Sequence, residues 1–188
     1  MMKDHISKFV ELADDEYDEI SHYFELIEVK KKHVLHEVNT ICRHNYFVVK
    51  GCLRMFFVTE NGAEQTTQFA IENWWLTDLF SFQRQTNSEF CIQAVETSKV
   101  MRLSKQEEDT LLKNHPVMEK YFRHVYQSAA AAAQLRVKFF RQYTREQLYI
   151  HFSEAFPEFN QRVPQYLVAS YLGFTPEYLS EIRNRLAS

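Results

Sequence analysis

Residues 165–184 read QYLVASYLGFTPEYLSEIRN. Val168, Leu172, Phe174, Leu179 and Ile182 are spaced to bury one face of each of two short helices against the other. Ala169 is small where two such helices cross at a steep angle. Gly173, four residues on, supplies the left-handed conformation that ends the first helix. Thr175-Pro176-Glu177 then gives the second helix a cap, a first-position proline and an acid at its positive end. A plain pair of antiparallel helices needs only the apolar spacing. The full set is the helix-turn-helix pattern, which predicts that the second helix enters the major groove of double-stranded DNA. Its outward face offers Thr175, Glu177, Tyr178, Ser180, Glu181, Arg183, Asn184 and Arg185. Glu177 could accept from cytosine N4 and Asn184 pair with adenine, with Ser180, Tyr178 and the arginines on phosphates.

Charge argues partly against this. The chain carries a net charge of −3, so a nucleic-acid partner must be held by a local patch. Residues 142–188 hold four basic side chains (Arg145, Arg162, Arg183, Arg185) against five acids (Glu146, Glu154, Glu158, Glu177, Glu181). That motivates an alternative, a protein-interaction module whose helix-turn-helix meets another protein. The preceding segment offsets the deficit, because Lys120, Arg123, Arg136, Lys138 and Arg141 face one acid, Glu119. Pairing two chains would double every contact.

That preceding segment, residues 116–141, has no glycine or proline after Pro116, and its apolar residues recur at three- and four-residue steps. It predicts one helix of about 25 residues, about 38 Å long. Its centre is Ser128 followed by five alanines. Such a face admits a second helix closely, so Val125, Ala129, Ala132 and Leu135 are the expected seam of a homodimer; the alternative is packing on the chain's own β-rich half. Ser104-Lys105-Gln106-Glu107 and Thr144-Arg145-Glu146-Gln147 are helix-opening capping signals, and Pro157–Val163, with Asn160, reads as a loop.

Residues 3–24 read as one or two short helices. From Phe24 to Leu103 the pattern becomes short runs of β-branched and aromatic residues: 25–29, 46–50, 52–58, 65–71, 90–95 and 99–103. Six or more such strands imply a sandwich or barrel, with Gly51 at one corner and Asn61-Gly62 marking a hairpin. The expected fold class is α+β.

Composition excludes several chemistries. Ordinary usage would give about 13 glycines in this length, and the sequence has three. Neither a P-loop nor a G-x-G-x-x-G turn can be written. Cys42, Cys52 and Cys91 share no ligand spacing and suit buried reduced thiols. His33, His36 and His44 lack the pattern of a jelly-roll metal enzyme, since His33 and His36 fall on opposite faces of a strand. No charged, apolar and small-residue leader opens the chain and no run reaches the ~18 apolar residues of a membrane span, so a cytoplasmic protein with no membrane contact is expected.

A β-rich domain with an Asn-Gly hairpin, a long helix and a C-terminal helix-turn-helix together resemble the Crp/Fnr family of bacterial transcription regulators. The resemblance runs through Tyr46–Arg54, Phe69–Phe82 and Val168–Leu186. It implies a cyclic-nucleotide-binding-like jelly roll over residues 1–115, a dimerisation helix over 116–141 and a DNA-binding unit over 142–188. It also implies a small-molecule effector and RNA polymerase as partners, and no enzymatic activity. The family's ribose-holding Gly-Glu pair falls on Thr77 and Asp78, and its phosphate-holding Arg-Ser pair on Ser88 and Glu89. Phosphate needs a cation or converging N–H groups, whereas Glu89 adds negative charge, so cyclic AMP is not expected to bind. Trp75, Thr77, Asp78, Ser88 and Glu89 remain the candidate effector pocket. Three scattered cysteines cannot hold the iron–sulfur cluster of other members, and no cofactor or metal is expected. Pro176 and Glu181 stand where the family often has arginines, so the DNA sequence read should differ.

Overall fold

The computed structural model describes residues 2–187, and its fold is α+β. Two short helices open it, α1 (Met2–Ile6) and α2 (Asp14–Ser21). Asp14, Asp15 and Glu16 occupy the first turn of α2, where the helix dipole favours negative charge.

Eight strands follow: β1 (Glu25–Val29), β2 (Val34–His36), β3 (His44–Lys50), β4 (Leu53–Val58), β5 (Glu64–Ala70), β6 (Trp75–Leu76), β7 (Cys91–Ala94) and β8 (Ser98–Ser104). They form two four-stranded sheets, ordered β1-β8-β3-β6 and β2-β7-β4-β5, with every pairing antiparallel. This is a jelly roll. Val29, Tyr46, Val48, Leu53, Leu76, Ile92 and Val100 fill the space between the sheets. The alternate residues of β3, Phe47 and Val49, point the other way and join Ile20, Leu111, Tyr121 and Phe122 beneath the helices. His44–Lys50 is thus apolar on both faces because it is covered on both.

Gly51 turns the corner between β3 and β4 with φ +109°, and a Cβ there would lie 2.2 Å from Ser98 Oγ and 2.7 Å from Ser98 Cα. Only glycine fits that corner. Two strands and two helices escaped the sequence pattern: β2 and β6 are three and two residues long, too short to show a period. The first of the helices is α3 (Leu79–Arg84), which overlaps the end of the Phe69–Phe82 stretch.

The Ser104/Glu107 capping box opens α4 (Lys105–Asn114), and α5 runs from Val117 to Gln142. Met118, Tyr121 and Phe122 of α5 are buried, but every residue from 127 to 135 is exposed. The alternative in which the alanine run packs on the chain's own sheets is therefore not what the structure contains. Then come α6 (Arg145–Ala155), with the Thr144/Gln147 capping box, and α7 (Pro157–Arg162). The expected loop at Pro157–Val163 is a helix: Pro157 sits in the first turn, where its missing N–H costs nothing, and Phe159 is buried. Helices α8 (Gln165–Leu172) and α9 (Pro176–Ala187) complete the described chain. Cys52, Phe69 and Val95 of the roll share one apolar cluster with Leu148, Phe152, Phe159, Val168 and Leu172, so the C-terminal helices rest directly on the roll.

Candidate nucleic-acid interface

Helix α8 ends at Gly173, whose φ is +75°. The Phe174 N–H donates to Ala169 O at 2.9 Å and the Gly173 N–H to Ser170 O at 3.3 Å. These two bonds close the last turn in the Schellman manner, which needs the left-handed residue. Two residues later the Tyr178 N–H donates to Thr175 Oγ at 3.2 Å and the Leu179 N–H to Thr175 O at 3.1 Å, so Thr175 caps α9 and Pro176 follows it. Val168, Ala169, Leu172, Leu179 and Ile182 are all buried. The two helices are fixed against each other as the sequence predicts.

Of the eight candidate contact residues, Thr175, Glu177, Ser180, Glu181, Arg183, Asn184 and Arg185 are exposed and Tyr178 is half-buried. They share the outer face of α9 and the turn before it. The Tyr178 ring lies edge-on to Phe174 at 5.7 Å and under the Arg145 guanidinium at 5.3 Å. Arg185 approaches Glu146 at 3.9 Å. Arg145 thus joins this face from α6, 33 positions before Tyr178, a proximity that no local pattern signals.

The five effector-pocket candidates are placed differently. Asp78 caps α3, accepting from the Phe80 and Ser81 N–H groups at 3.2 and 3.3 Å, and it also accepts from Ser88 Oγ at 2.6 Å. Thr77 Oγ donates to His44 O at 3.0 Å. Trp75 packs on Phe47 and Phe122, with its indole N–H on Tyr121 Oη at 2.8 Å. Glu89 is exposed. The structure brings Asp78 and Ser88 together, but as partners of each other. Phe80 is 63% exposed beside Arg84, while Phe82 is wholly buried.

Two clefts open elsewhere. One, of about 540 Å³, is bounded by Val34–Glu37, Thr40, Ile41, Arg43, His44 and Tyr46; the other, of about 250 Å³, by Lys50, Gly51, Glu72, Glu96, Thr97 and Arg162. None of the five candidates bounds either cleft. Burial pushes the Cys42 thiol up and the Cys52 thiol up to about 12, so both are inert protonated sulfurs at neutral pH. Cys91 is half-buried.

A jelly roll followed by a long helix and a helix-turn-helix is an architecture that known proteins share. Residues 26–115 match the family described as "Cyclic nucleotide-binding domain". A putative transcriptional regulator of the Crp/Fnr family from Eubacterium rectale superimposes with TM-score 0.72 at 15% identity, covering 94% of this chain and 84% of that one. FixK2 from Bradyrhizobium japonicum gives TM-score 0.71 at 13% identity, covering 87% and 84%. The Thermus thermophilus catabolite activator protein gives 0.60 at 16% identity, covering 97% and 86%. No curated protein matches by sequence. The chain has the Crp/Fnr fold. Among the described residues no helix is long and apolar enough to cross a membrane.

Proposed function

We propose that the protein is a cytoplasmic, homodimeric transcription regulator, not an enzyme, that reads double-stranded DNA with α9. The observation that carries this reading is the closed helix-turn-helix core with an open outer face, joined to a helix whose middle is uncovered among the described residues. Residues 127–135 of α5 are exposed, and Leu135, Val137 and Phe140 are large apolar side chains left open on the same helix. An alanine face flanked by open apolar residues is what a second copy of the helix would fill. Pairing through Val125, Ala129, Ala132 and Leu135 sets two α9 helices on one duplex.

The bond between Ser88 and Asp78 supports a sensor that does not take cyclic AMP, because each group already has the other as its partner. An effector of another kind, and contact with RNA polymerase, are part of this proposal and rest on the resemblance alone. Selection from random duplexes at low salt tests the function: enrichment of a two-fold symmetric sequence is expected. No enrichment would favour a protein partner, the reading that the acidic balance of residues 142–188 motivates.

A further inference from the structure

One contact on the outer face of α9 comes from outside the helix-turn-helix. Of the eight candidate contact residues, Tyr178 alone is half-buried and the other seven are exposed. Its ring is held on two sides. Phe174, in the turn before α9, meets it edge-on at 5.7 Å, and the Arg145 guanidinium of α6 lies over it at 5.3 Å. Its backbone N–H is used by the Thr175 cap at 3.2 Å. Its hydroxyl is not among the buried polar atoms and bonds to none of the described residues. The ring is therefore fixed while its polar tip stays open.

Arg145 is exposed and stands in the first turn of α6. That end of a helix favours acids, so a cation there gains nothing from its own helix. The neighbouring Glu146 turns instead toward Arg185, at 3.9 Å. Among the described residues the Tyr178 ring is the partner that the Arg145 guanidinium has. A flat guanidinium stacks on an aromatic face in a way that an ammonium does not. The element that carries it is rigid: the Thr144/Gln147 capping box fixes the first turn of α6, and Leu148, Tyr149 and Phe152 are buried in the same cluster as Leu179 and Ile182 of α9.

We propose that Arg145 is a positioning residue for sequence selection: it clamps the Tyr178 ring against Phe174, so that the Tyr178 hydroxyl meets one base pair in each half-site. The inference rests on the function proposed above. It moves Tyr178 from the phosphate expected of it to a base edge. Tyr178 is the third residue of α9 (Pro176–Ala187), and the N-terminal residues of such a helix are those that face base edges. A hydroxyl both donates and accepts, so a freely turning one discriminates poorly between bases. Held by a clamp, it presents its donor and acceptor in one place, and the wrong base leaves a group unpaired. A ring ordered before binding also gives up little freedom on binding.

The test uses the full chain with Tyr178→Phe, Arg145→Met, Arg145→Lys and the double variant Tyr178→Phe/Arg145→Met. Each is taken through selection from random duplexes, its affinity for the wild-type site is followed over a range of salt, and thermal melting serves as the folding control. Tyr178→Phe keeps the ring and the stack and should relax the preference at one base pair per half-site by at least fivefold. Arg145→Met should relax the same base pair by a similar factor, and the double variant no further than either, because the two residues act as one. Arg145→Lys restores the charge without the flat stack, so it should keep the wild-type salt slope and still lose the preference. Wild-type selectivity in Arg145→Met or in Tyr178→Phe, losses at different base pairs, losses that multiply in the double variant, or full rescue by lysine would each overturn the positioning role while leaving DNA binding in place. If the wild type itself enriches no sequence, the function proposed above fails and this inference with it.

Discussion

Ser88 Oγ donates to Asp78 Oδ2 at 2.6 Å, so a hydroxyl and a carboxylate ten residues apart close on each other inside the jelly roll. The same carboxylate caps α3, and both residues are buried. A ligand seeking either group must first break a charge-assisted bond and a helix cap. Millimolar cyclic AMP should therefore leave the melting temperature within about 1 °C of its ligand-free value. A rise of several degrees, as mass action requires of a ligand well above its Kd, would count against the account.

Gly51 joins two functions at one corner. An added Cβ meets the Ser98 backbone, and φ is +109°, so Gly51→Ala should cost about 2 kcal/mol, or about 4–8 °C in Tm for a chain of this size. It should also loosen the C-terminal helices, since the Gly51 carbonyl and N–H bond Arg162 of α7 and its partner Glu72. Thermal melting checks the first effect, and a Tm equal to wild type would show the corner to be relaxed.

His36 is 7% exposed and its Nε2 has no hydrogen-bond partner. Burial pushes its pKa below the ordinary 6.5, against a smaller opposing pull from Asp78 and Glu37. Burial acts in the same direction on His5 and His44. The folded-state pKa lies below the unfolded one, so the unfolded state binds more protons as pH falls. Stability contributed by these groups is present above about pH 6.5 and is lost as pH drops through the folded values. Melts between pH 7 and 5 should show falling Tm, with a shallower fall in His36→Leu. A variant with the wild-type slope would remove His36 from the cause.

Ala132 is exposed in the middle of α5, and lysine is a good helix former. Ala132→Lys should leave the chain folded while placing like charges across the proposed seam. Sedimentation velocity should move from a dimer to the 22.5 kDa single chain. A dimer that persists would place the interface elsewhere.

How much of this was legible in the sequence depends on how local each signal is. The helix-turn-helix could be read because Gly173, Thr175 and Pro176 each act on the backbone within a few residues. The capping boxes at Ser104 and Thr144 were readable for the same reason. Helix α7 was not, because Pro157 and Asn160 are turn formers elsewhere and only burial of Phe159 reveals the helix. The candidate pocket was aligned residue by residue, yet alignment could not show that Asp78 and Ser88 satisfy each other. Arg162 had no signal at all: its partners lie 66, 90 and 111 positions away.

The central claim is that two copies of α9 read one duplex. Its most direct test is a titration of the selected duplex with the pure protein at several salt concentrations, with the stoichiometry measured at saturation. Two chains per duplex are expected, with log K falling steeply and linearly against log salt as phosphate contacts release counterions, and with a shallower slope when Arg183 and Arg185 are both changed to alanine. Binding of a single chain, a flat salt dependence or no binding at low salt would contradict it.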